Sequence, residues 1–371
     1  MADQEGRGGL CTPTRWRLIA SGVLLAACPL LVLLFERFGE ALSGGYRPFS
    51  KGLLSLQATV ASVAPFALWD FLVVGFALAA LFTLVRRVVR RRPLLPWLSV
   101  VLLVSSATLF LFVSGWALNH YAPSLANEIG LEVGAYTDDE LAAATRHYLE
   151  RAAALAPSVP RGEDGELLRQ DFYELARIAG GSYRELSESY GIFEGSQAPV
   201  KALLLLGEPL LLSGHVGIFF SPTGESSVPV NCAVADLPFT MCHEAAHRMA
   251  IAREQEANFA AFLACTTSDD VRFFYSGYYS AFSFCYGALR RSDPDRAARL
   301  LDEVRTSGLD AGVGLVLADL VATGRHYDAY EGWFGRVGSA VNDGYLRSFG
   351  EREGVKSYGL VVDYLIAWDR R

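Results

Sequence analysis

LPFTMCHEAAHRMAIAREQEANFAAFLAC, residues 237–265, holds the most informative pattern of the chain, His-Glu-Ala-Ala-His at residues 243–247. Residues i and i+4 share one face of a helix, so the imidazoles of His243 and His247 would converge on one point. Two neutral imidazoles hold Zn²⁺ and leave room for a water whose pKa the metal lowers toward ~7. Glu244 would take the proton of that water as general base. The pattern predicts a helical zinc site with hydrolytic chemistry.

Two carboxylates follow at the distance where a third metal ligand is expected, Glu254 and Glu256. On one straight helix Glu254 would lie roughly 10 Å beyond His247, at 1.5 Å per residue, which is too far to share a zinc ion. We therefore predict a bend between residues 248 and 253 and a second helix from about residue 253. Only one carboxylate of that helix can face the metal; Glu254 is preferred and Glu256 is the alternative. Ala250 is unfavourable for such a bend, because a left-handed turn favours glycine.

Short strands and further helices surround this stretch. Glycine and proline punctuate residues 207–238, where VGIFF (216–220) and VPVNCAV (228–234) predict strands. Thr137 and Glu140 form a capping-box pattern at the start of a helix over 137–156. The other predicted helices cover 171–179, 238–248, 253–265, 270–289, 294–304 and the tail from 341 onward.

Three further features near this stretch are candidates for substrate contact. His215, in an SGHVG turn, would act as an electrophile or would simply be an exposed turn histidine. Tyr275 would donate to a developing oxyanion or pack in the core. Residues 217–221 form either a strand edge that pairs with an extended peptide or an ordinary sheet edge.

The first third of the chain is apolar enough for a membrane. Hydrophobic residues make up 51% of the sequence and the mean hydropathy is +0.25. We predict spans at about 18–35, 64–85 and 96–118, each near the ~20 residues that a bilayer needs. The first segment is read as a retained span rather than a signal peptide, whose apolar region is shorter, ~7–15 residues. Residues 51–63 are too polar to span and would lie in the interface or pack on the spans.

Charge sets the predicted orientation. Five arginines between residues 86 and 92 form the densest charge cluster. By the positive-inside rule this loop and the N-terminus are cytoplasmic, and residues 119–371 lie outside the cytoplasmic membrane. Asp70, at the outer end of a span, is either a functional intramembrane carboxylate or an interfacial residue. Residues 119–121, Asn-His-Tyr, are read as an interfacial belt rather than a site.

The charge balance also excludes nucleic acid as a partner. Residues 1–118 carry a net charge of +6 and the remainder carries −13, which together give the −7 of the whole chain. Phosphate contacts need clustered Lys and Arg on the folded domain, which this acidic part lacks.

The cysteines divide between the two parts of the chain. Cys11 and Cys28 belong to the membrane region, and Cys232, Cys242, Cys265 and Cys285 follow it. An even number in an oxidising compartment allows one or two disulfides, and four buried thiols are the other reading.

The chain resembles a family of uncharacterised bacterial membrane proteins. The resemblance rests on FVSGWALNH (112–120), SGHVGIFFSPTGESSVPVN (213–231), residues 237–265, FFYSGYYSAF (273–282) and DGYLRSFGEREGVKSYG (343–359). It implies an N-terminal membrane region and an external zincin-like domain with an HExxH…ExEAN pattern, assigned to zinc metallopeptidases by motif. The REQEAN string is also similar to the ligand-bearing helix of gluzincin membrane peptidases. Asn258 departs from the aspartate there, and Ala250 departs from the usual glycine.

We therefore expect a mainly α protein in two parts: three transmembrane helices in residues 1–118, and a mostly helical zincin-like α+β domain with a small sheet in residues 119–371. The expected function is that of a membrane-anchored, Zn²⁺-dependent metallopeptidase acting on peptides or proteins in the cell envelope, with the lipid bilayer as a partner. A non-catalytic envelope scaffold with a structural or vestigial zinc site is the alternative. Glu244 favours the first expectation, because a structural site needs no general base.

Overall fold

Three apolar helices open the computed structural model, which describes residues 12–349 and 360–371. They are α1 (Thr12–Ala61), α2 (Leu68–Val89) and α3 (Leu95–Gly115). The three predicted spans fall within these helices and the turns beside them. α1 is interrupted at Phe38, whose φ of −130° and ψ of 16° are not helical. Its first part holds the first predicted span, and its second part runs on to Ala61.

The second part of α1 contains most of the segment, 51–63, that the sequence places in the interface or against the spans. It packs on the end of α3, where the Ser50 hydroxyl donates to the Gly115 carbonyl at 2.7 Å. Lys51 donates to the Ile192 carbonyl at 2.6 Å, far along the chain. This half-helix therefore lies between the apolar helices and the rest of the protein.

Four described helical segments are long and apolar enough to cross a membrane, not three. The fourth, Pro294–Asp328, joins α12 (Pro294–Val304) and α13 (Asp310–Asp328) through a wide π-type turn at Arg305–Leu309. The sequence predicts only a helix at 294–304 here, and the count of three spans is not confirmed. This segment has only moderate hydropathy, is divided between two helices and contains no long uncharged run.

The remainder of the described chain is mostly helical, as predicted. The capping box at Thr137 is confirmed, with Glu140 N–H donating to the Thr137 hydroxyl at 3.2 Å. The helices not yet named are α4 (Leu125–Ile129), α5 (Asp138–Leu155), α6 (Phe172–Gly181), α7 (Arg184–Ser189), α8 (Gly207–Leu212), α9 (Leu237–Arg248), α10 (Glu254–Thr266), α11 (Val271–Ser292), α14 (Trp333–Ser348) and α15 (Val361–Asp369).

The small sheet has three strands in the order β1-β3-β2. β1 (Lys201–Leu203) pairs parallel with β3 (Glu225–Pro229), and β2 (Ile218–Phe220) pairs antiparallel with it. The predicted strand at 216–220 is confirmed in its last three residues. The predicted strand at 228–234 is wrong in extent, because the chain turns after Pro229. β1 was missed, since three residues ahead of a leucine run show no alternation of polar and apolar side chains.

Buried acids join the sheet to the start of α2. The Glu225 carboxylate accepts from the backbone N–H groups of Leu68 and Trp69 at 2.8 and 3.1 Å, which satisfies N–H groups that a helix start leaves unpaired. Asp70, fully buried, accepts from the three N–H groups of residues 204–206 at 2.7–3.0 Å. Asp70 thus binds backbone at this junction.

Lys201 makes the matching contact at the end of α1. Its buried ammonium donates to the carbonyls of Ala61 and Ala64, where the helix leaves acceptors unpaired. Charged side chains of the sheet therefore satisfy the ends of two apolar helices, and these contacts hold the sheet against them.

Candidate metal centre

A sharp turn between α9 and α10 brings the two parts of the motif together. Ala250 adopts a left-handed φ of 62° just after α9. Its N–H donates to the His247 carbonyl at 3.1 Å, and the Ile251 N–H donates to the Ala246 carbonyl at 3.4 Å. This pair of bonds is the Schellman ending that usually uses glycine. The predicted bend is confirmed, and an alanine accepts it at a cost of ~1 kcal/mol.

The turn places His243, His247 and Glu254 in one buried cluster. Their ligand atoms all lie within 4.8 Å of one another. The Glu254 Oε2 atom is 3.1 Å from His243 Nε2 and 3.7 Å from His247 Nε2. Tetrahedral zinc with bonds of ~2.1 Å separates its ligand atoms by roughly 3.4 Å. The three side chains therefore fit a zinc ion in spacing and in donor type.

Both imidazoles are oriented by hydrogen bonds at Nδ1. His243 Nδ1 lies 2.8 Å from Asn258 Oδ1, and His247 Nδ1 lies 2.8 Å from the Ile251 carbonyl. A carbonyl oxygen only accepts, so an Nδ1–H would donate in each pair and Nε2 would remain as the metal-binding atom. Asn258 thus supplies an acceptor that orients the His243 imidazole.

Glu256 lies in a different environment from Glu254. Its Oε1 atom accepts from Arg253 at 2.9 Å and from the Tyr364 hydroxyl at 3.3 Å. The two carboxylates point to different neighbours because they are two residues apart on α10. The geometry places Glu254, not Glu256, beside the histidines.

Glu244 lies beside the cluster, and Gly217 allows it to do so. A Cβ at Gly217 would come within 2.8 Å of the Glu244 Cγ and Cδ atoms, so a side chain there would displace the carboxylate. The Ser226 hydroxyl donates to the Glu244 carbonyl at 2.6 Å and holds α9 against β3. Burial raises the pKa of Glu244 to about 7, although the two histidines oppose the shift.

The charged side chains of the cluster shift each other's pKa values. Burial would lower the pKa of His247, but the Glu254 carboxylate outweighs burial and raises it to about 9. Burial would raise the pKa of Glu254, but His247 and His243 hold it well below its usual range. Positive charge is therefore favoured at the point where the three side chains meet.

A cavity of about 940 Å³ opens onto the cluster. His243, Glu244, His247 and Glu254 line it together with β2 and α14. His215 also lines it, with Nδ1 2.9 Å from the Ser213 hydroxyl, and burial lowers its pKa. His215 is thus placed beside the cavity rather than exposed in a turn.

Other predicted candidates lie elsewhere. Tyr275 is buried and donates to Asp319, which Arg161 also binds through two nitrogens at 2.7 and 3.0 Å. It is a core residue and does not line the cavity. Asn119 and His120 are buried rather than interfacial.

Trp116 makes a contact that no feature of the sequence predicts. Its indole N–H donates to the His247 carbonyl at 2.9 Å, and its ring lines the cavity. It directly follows α3, so the end of an apolar helix contacts the histidine-bearing helix. No sequence signal links positions 131 residues apart.

Among the described cysteines, Cys28, Cys232, Cys242, Cys265 and Cys285 are free and buried. The structure agrees with the reading of four buried thiols after the three N-terminal helices, and it has no disulfide among the described cysteines. Cys11 lies outside the described residues.

Comparison with known proteins places the chain in one family. No curated protein and no solved structure matches it significantly. One family matches residues 46–366, which include α2, α3, the sheet and the whole His-His-Glu cluster. The chain therefore belongs to the family described as "Protein of unknown function (DUF3810)".

Proposed function

We propose that the protein is a membrane-anchored, zinc-dependent hydrolase, and specifically a metallopeptidase. The observation that carries the proposal is Glu244, whose buried carboxyl lies against the His-His-Glu cluster and lines the same cavity. His243, His247 and Glu254 would hold the metal. The proposed alternative, a scaffold with a structural or vestigial zinc site, gives no role to Glu244 or to a cavity of this size.

The roles of the side chains follow from their positions. Zinc bound here would lower the pKa of a coordinated water toward ~7. Glu244 would accept the proton of that water as it attacks a carbonyl carbon, and would deliver it to the leaving amine. Asn258 and the Ile251 carbonyl would keep the two imidazoles in the binding tautomer. His215, beside the same cavity, would face the polar atoms of a bound substrate.

The sheet favours a peptide as substrate. β2 ends the strand order, and its Ile218 and Phe219 line the cavity. An extended peptide could add to this edge by backbone hydrogen bonds, as peptides do at other exposed strand edges. Its scissile carbonyl would then run past Glu244, whose carboxylate lies against Gly217, the residue before β2.

The proposed location is the cytoplasmic membrane, with the N-terminus in the cytoplasm and residues 119–371 outside. The arginine cluster at 86–92, between α2 and α3, supports this orientation. Reporter enzymes that work only outside the cytoplasm should be active after residue 120 and inactive near Arg90. The opposite pattern would place the cavity in the cytoplasm.

The test of the enzyme uses the full chain, because buried charged groups join the sheet to α1 and α2. Zinc content is measured first, and a peptide library is then incubated with and without a chelator. Glu244→Gln should retain zinc and lose hydrolysis by about 10²–10⁴-fold, the usual contribution of a general base. Glu188→Gln, at an exposed glutamate of α7, is the control. Zinc with no hydrolysis in wild type would favour the scaffold, and an active Glu244→Gln variant would refute the mechanism.

A further inference from the structure

α14 carries an apolar face that the described part of the chain leaves exposed. Trp333, Phe334, Val337 and Val341 are 68%, 45%, 51% and 68% exposed. Their spacing puts them on one side of the helix, since residues three and four apart share a face. A contiguous apolar patch of this kind marks an interaction surface. Arg336, on the flank, supplies the charged border that interfacial helices have.

The C-terminal end of α14 packs on a predicted span. The Phe112 ring of α3 lies 5.9 Å from the Tyr345 ring and 6.2 Å from the Phe349 ring. Phe112 lies one turn before α3 ends, and its neighbours Leu109 and Leu111 are exposed apolar residues. This end of α14 is therefore level with the last turn of a helix that can cross the membrane.

The N-terminal half of α14 packs beside α8, which in turn contacts the start of another such helix, α2. Gly338 packs so tightly on Ser213, just after α8, that a Cβ would lie 2.9 Å from the serine Cβ. α8 and the turn before it belong to the small cluster around Trp69 of α2, through Leu206 and Leu210. α14 thus contacts the end of α3 directly and is linked through α8 to the start of α2, so it lies beside the same ends of these two helices.

Three of the four side chains also border the cavity. Phe334, Val337 and Val341 line it from α14, and Phe112 and Trp116 line it from the end of α3. The apolar wall of the cavity is therefore continuous with the apolar surface of the helices. Leu204, Leu205 and Leu212, exposed beside α8, extend this surface on the other side.

We propose that α14 is an interfacial helix whose apolar face lies in the headgroup–acyl boundary of the bilayer, and that the cavity beneath it takes its substrate from the membrane. The substrate class is then a polypeptide held in the same membrane by a lipid or a transmembrane segment. The proposed location of α14 does not depend on the peptidase function, whereas the substrate class rests on it.

The location is tested with the full chain in vesicles of phosphatidylethanolamine and phosphatidylglycerol. The environment-sensitive fluorophore NBD is attached at Trp333→Cys, in a chain whose Cys11 is serine, because the five described cysteines are buried. Lipids with a quencher at a shallow acyl position should remove about half of its fluorescence, since interfacial helices lie ~5–10 Å deep. The control label at Asp139→Cys, on an aspartate whose side chain is 88% exposed, should not be quenched.

An unquenched, water-exposed label at Trp333→Cys would overturn the proposal. Energy transfer between labels on two copies, without lipid quenching, would overturn it in favour of a dimer interface.

The substrate class is tested with a peptide that the library shows to be cleaved. The same sequence is supplied free in solution and with a palmitoyl anchor in the vesicles. We expect the anchored form to be cleaved at least about 10-fold faster, because membrane capture raises its effective concentration. Trp333→Asp, at a residue that does not line the cavity, should remove that advantage and leave cleavage of the free peptide unchanged.

Equal cleavage of both forms would refute the substrate class. If wild type cleaves no peptide, the proposed function fails, and the quenching result still decides where α14 lies.

Discussion

Glu254 and Glu256 are separated by one residue, yet their substitution should affect different properties. Glu254→Gln removes a carboxylate that lies 3.1 and 3.7 Å from the two histidine nitrogens. Glu256→Gln removes the partner of Arg253, 2.9 Å away, and of the Tyr364 hydroxyl. We therefore expect loss of zinc affinity in the first variant. The second should lose stability and keep its zinc.

The expected magnitudes follow from linkage. Zinc at a thousandfold excess over its Kd stabilises the native state by about 4 kcal/mol. For a domain of this size, that is an increase in Tm on the order of 10 °C. Wild type and Glu256→Gln should both show this zinc-dependent increase, and Glu254→Gln should show little or none. Glu256→Gln should be less stable by about 1–3 kcal/mol with or without zinc, because Arg253 loses a charged, largely buried partner.

The assay compares the full chains in one detergent. Each is stripped with a chelator, its Tm is measured with increasing zinc, and bound zinc is counted by elemental analysis. A Glu254→Gln protein that binds one zinc as tightly as wild type would refute the ligand assignment. Loss of zinc in Glu256→Gln alone would show that the alternative carboxylate is the ligand.

Substitutions at three further positions, Gly217, Ala250 and Asp236, test the surroundings of the centre. Gly217→Ala should displace Glu244 and lower peptide hydrolysis while zinc content stays unchanged, whereas Gly134→Ala, with open space around it, should be neutral in both assays. Ala250→Val should destabilise the protein by about 2 kcal/mol or more, because a β-branched residue is strained at positive φ, and Ala250→Gly should stay within about 1 kcal/mol of wild type in thermal unfolding. Asp236, which directly precedes α9 and lines the cavity, has a pKa that burial raises to about 6. The folded state therefore binds the extra proton and loses stability as pH rises through that value. Asp236→Asn should therefore gain in Tm relative to wild type between about pH 4 and pH 7, and a constant difference would contradict this origin.

The sequence predicts the parts of the centre that depend on local geometry. The spacing of His243 and His247 gives one face of a helix, and the rise per residue requires a bend before Glu254. Both predictions use only the 12 residues from 243 to 254. Ala250 looked unfavourable for that bend because propensity favours glycine, but the packed surroundings impose the conformation on an alanine.

The contacts that join distant segments could not be predicted from the sequence. Gly217 matters only because β2 passes over Glu244, and β1 forms only because β3 lies beside it. The fourth apolar segment is divided between two helices, so no uninterrupted run revealed it. Periodicity reports the neighbours of a residue along its own helix, and these features depend on neighbours from elsewhere in the fold.

If α3 spans the bilayer as proposed, the hydrogen bond from Trp116 to the His247 carbonyl would couple membrane thickness to the proposed metal centre. α3 is short enough that a thicker or thinner bilayer would shift or tilt it, at a cost of fractions of a kcal/mol per ångström of mismatch. Because the indole is bonded at 2.9 Å to the residue that would bind the metal, such a shift would pull on α9 itself. Hydrolysis should then depend on the acyl-chain length of the surrounding lipids, and Trp116→Phe should lose that dependence. An unchanged dependence in this variant would show that the bilayer acts elsewhere.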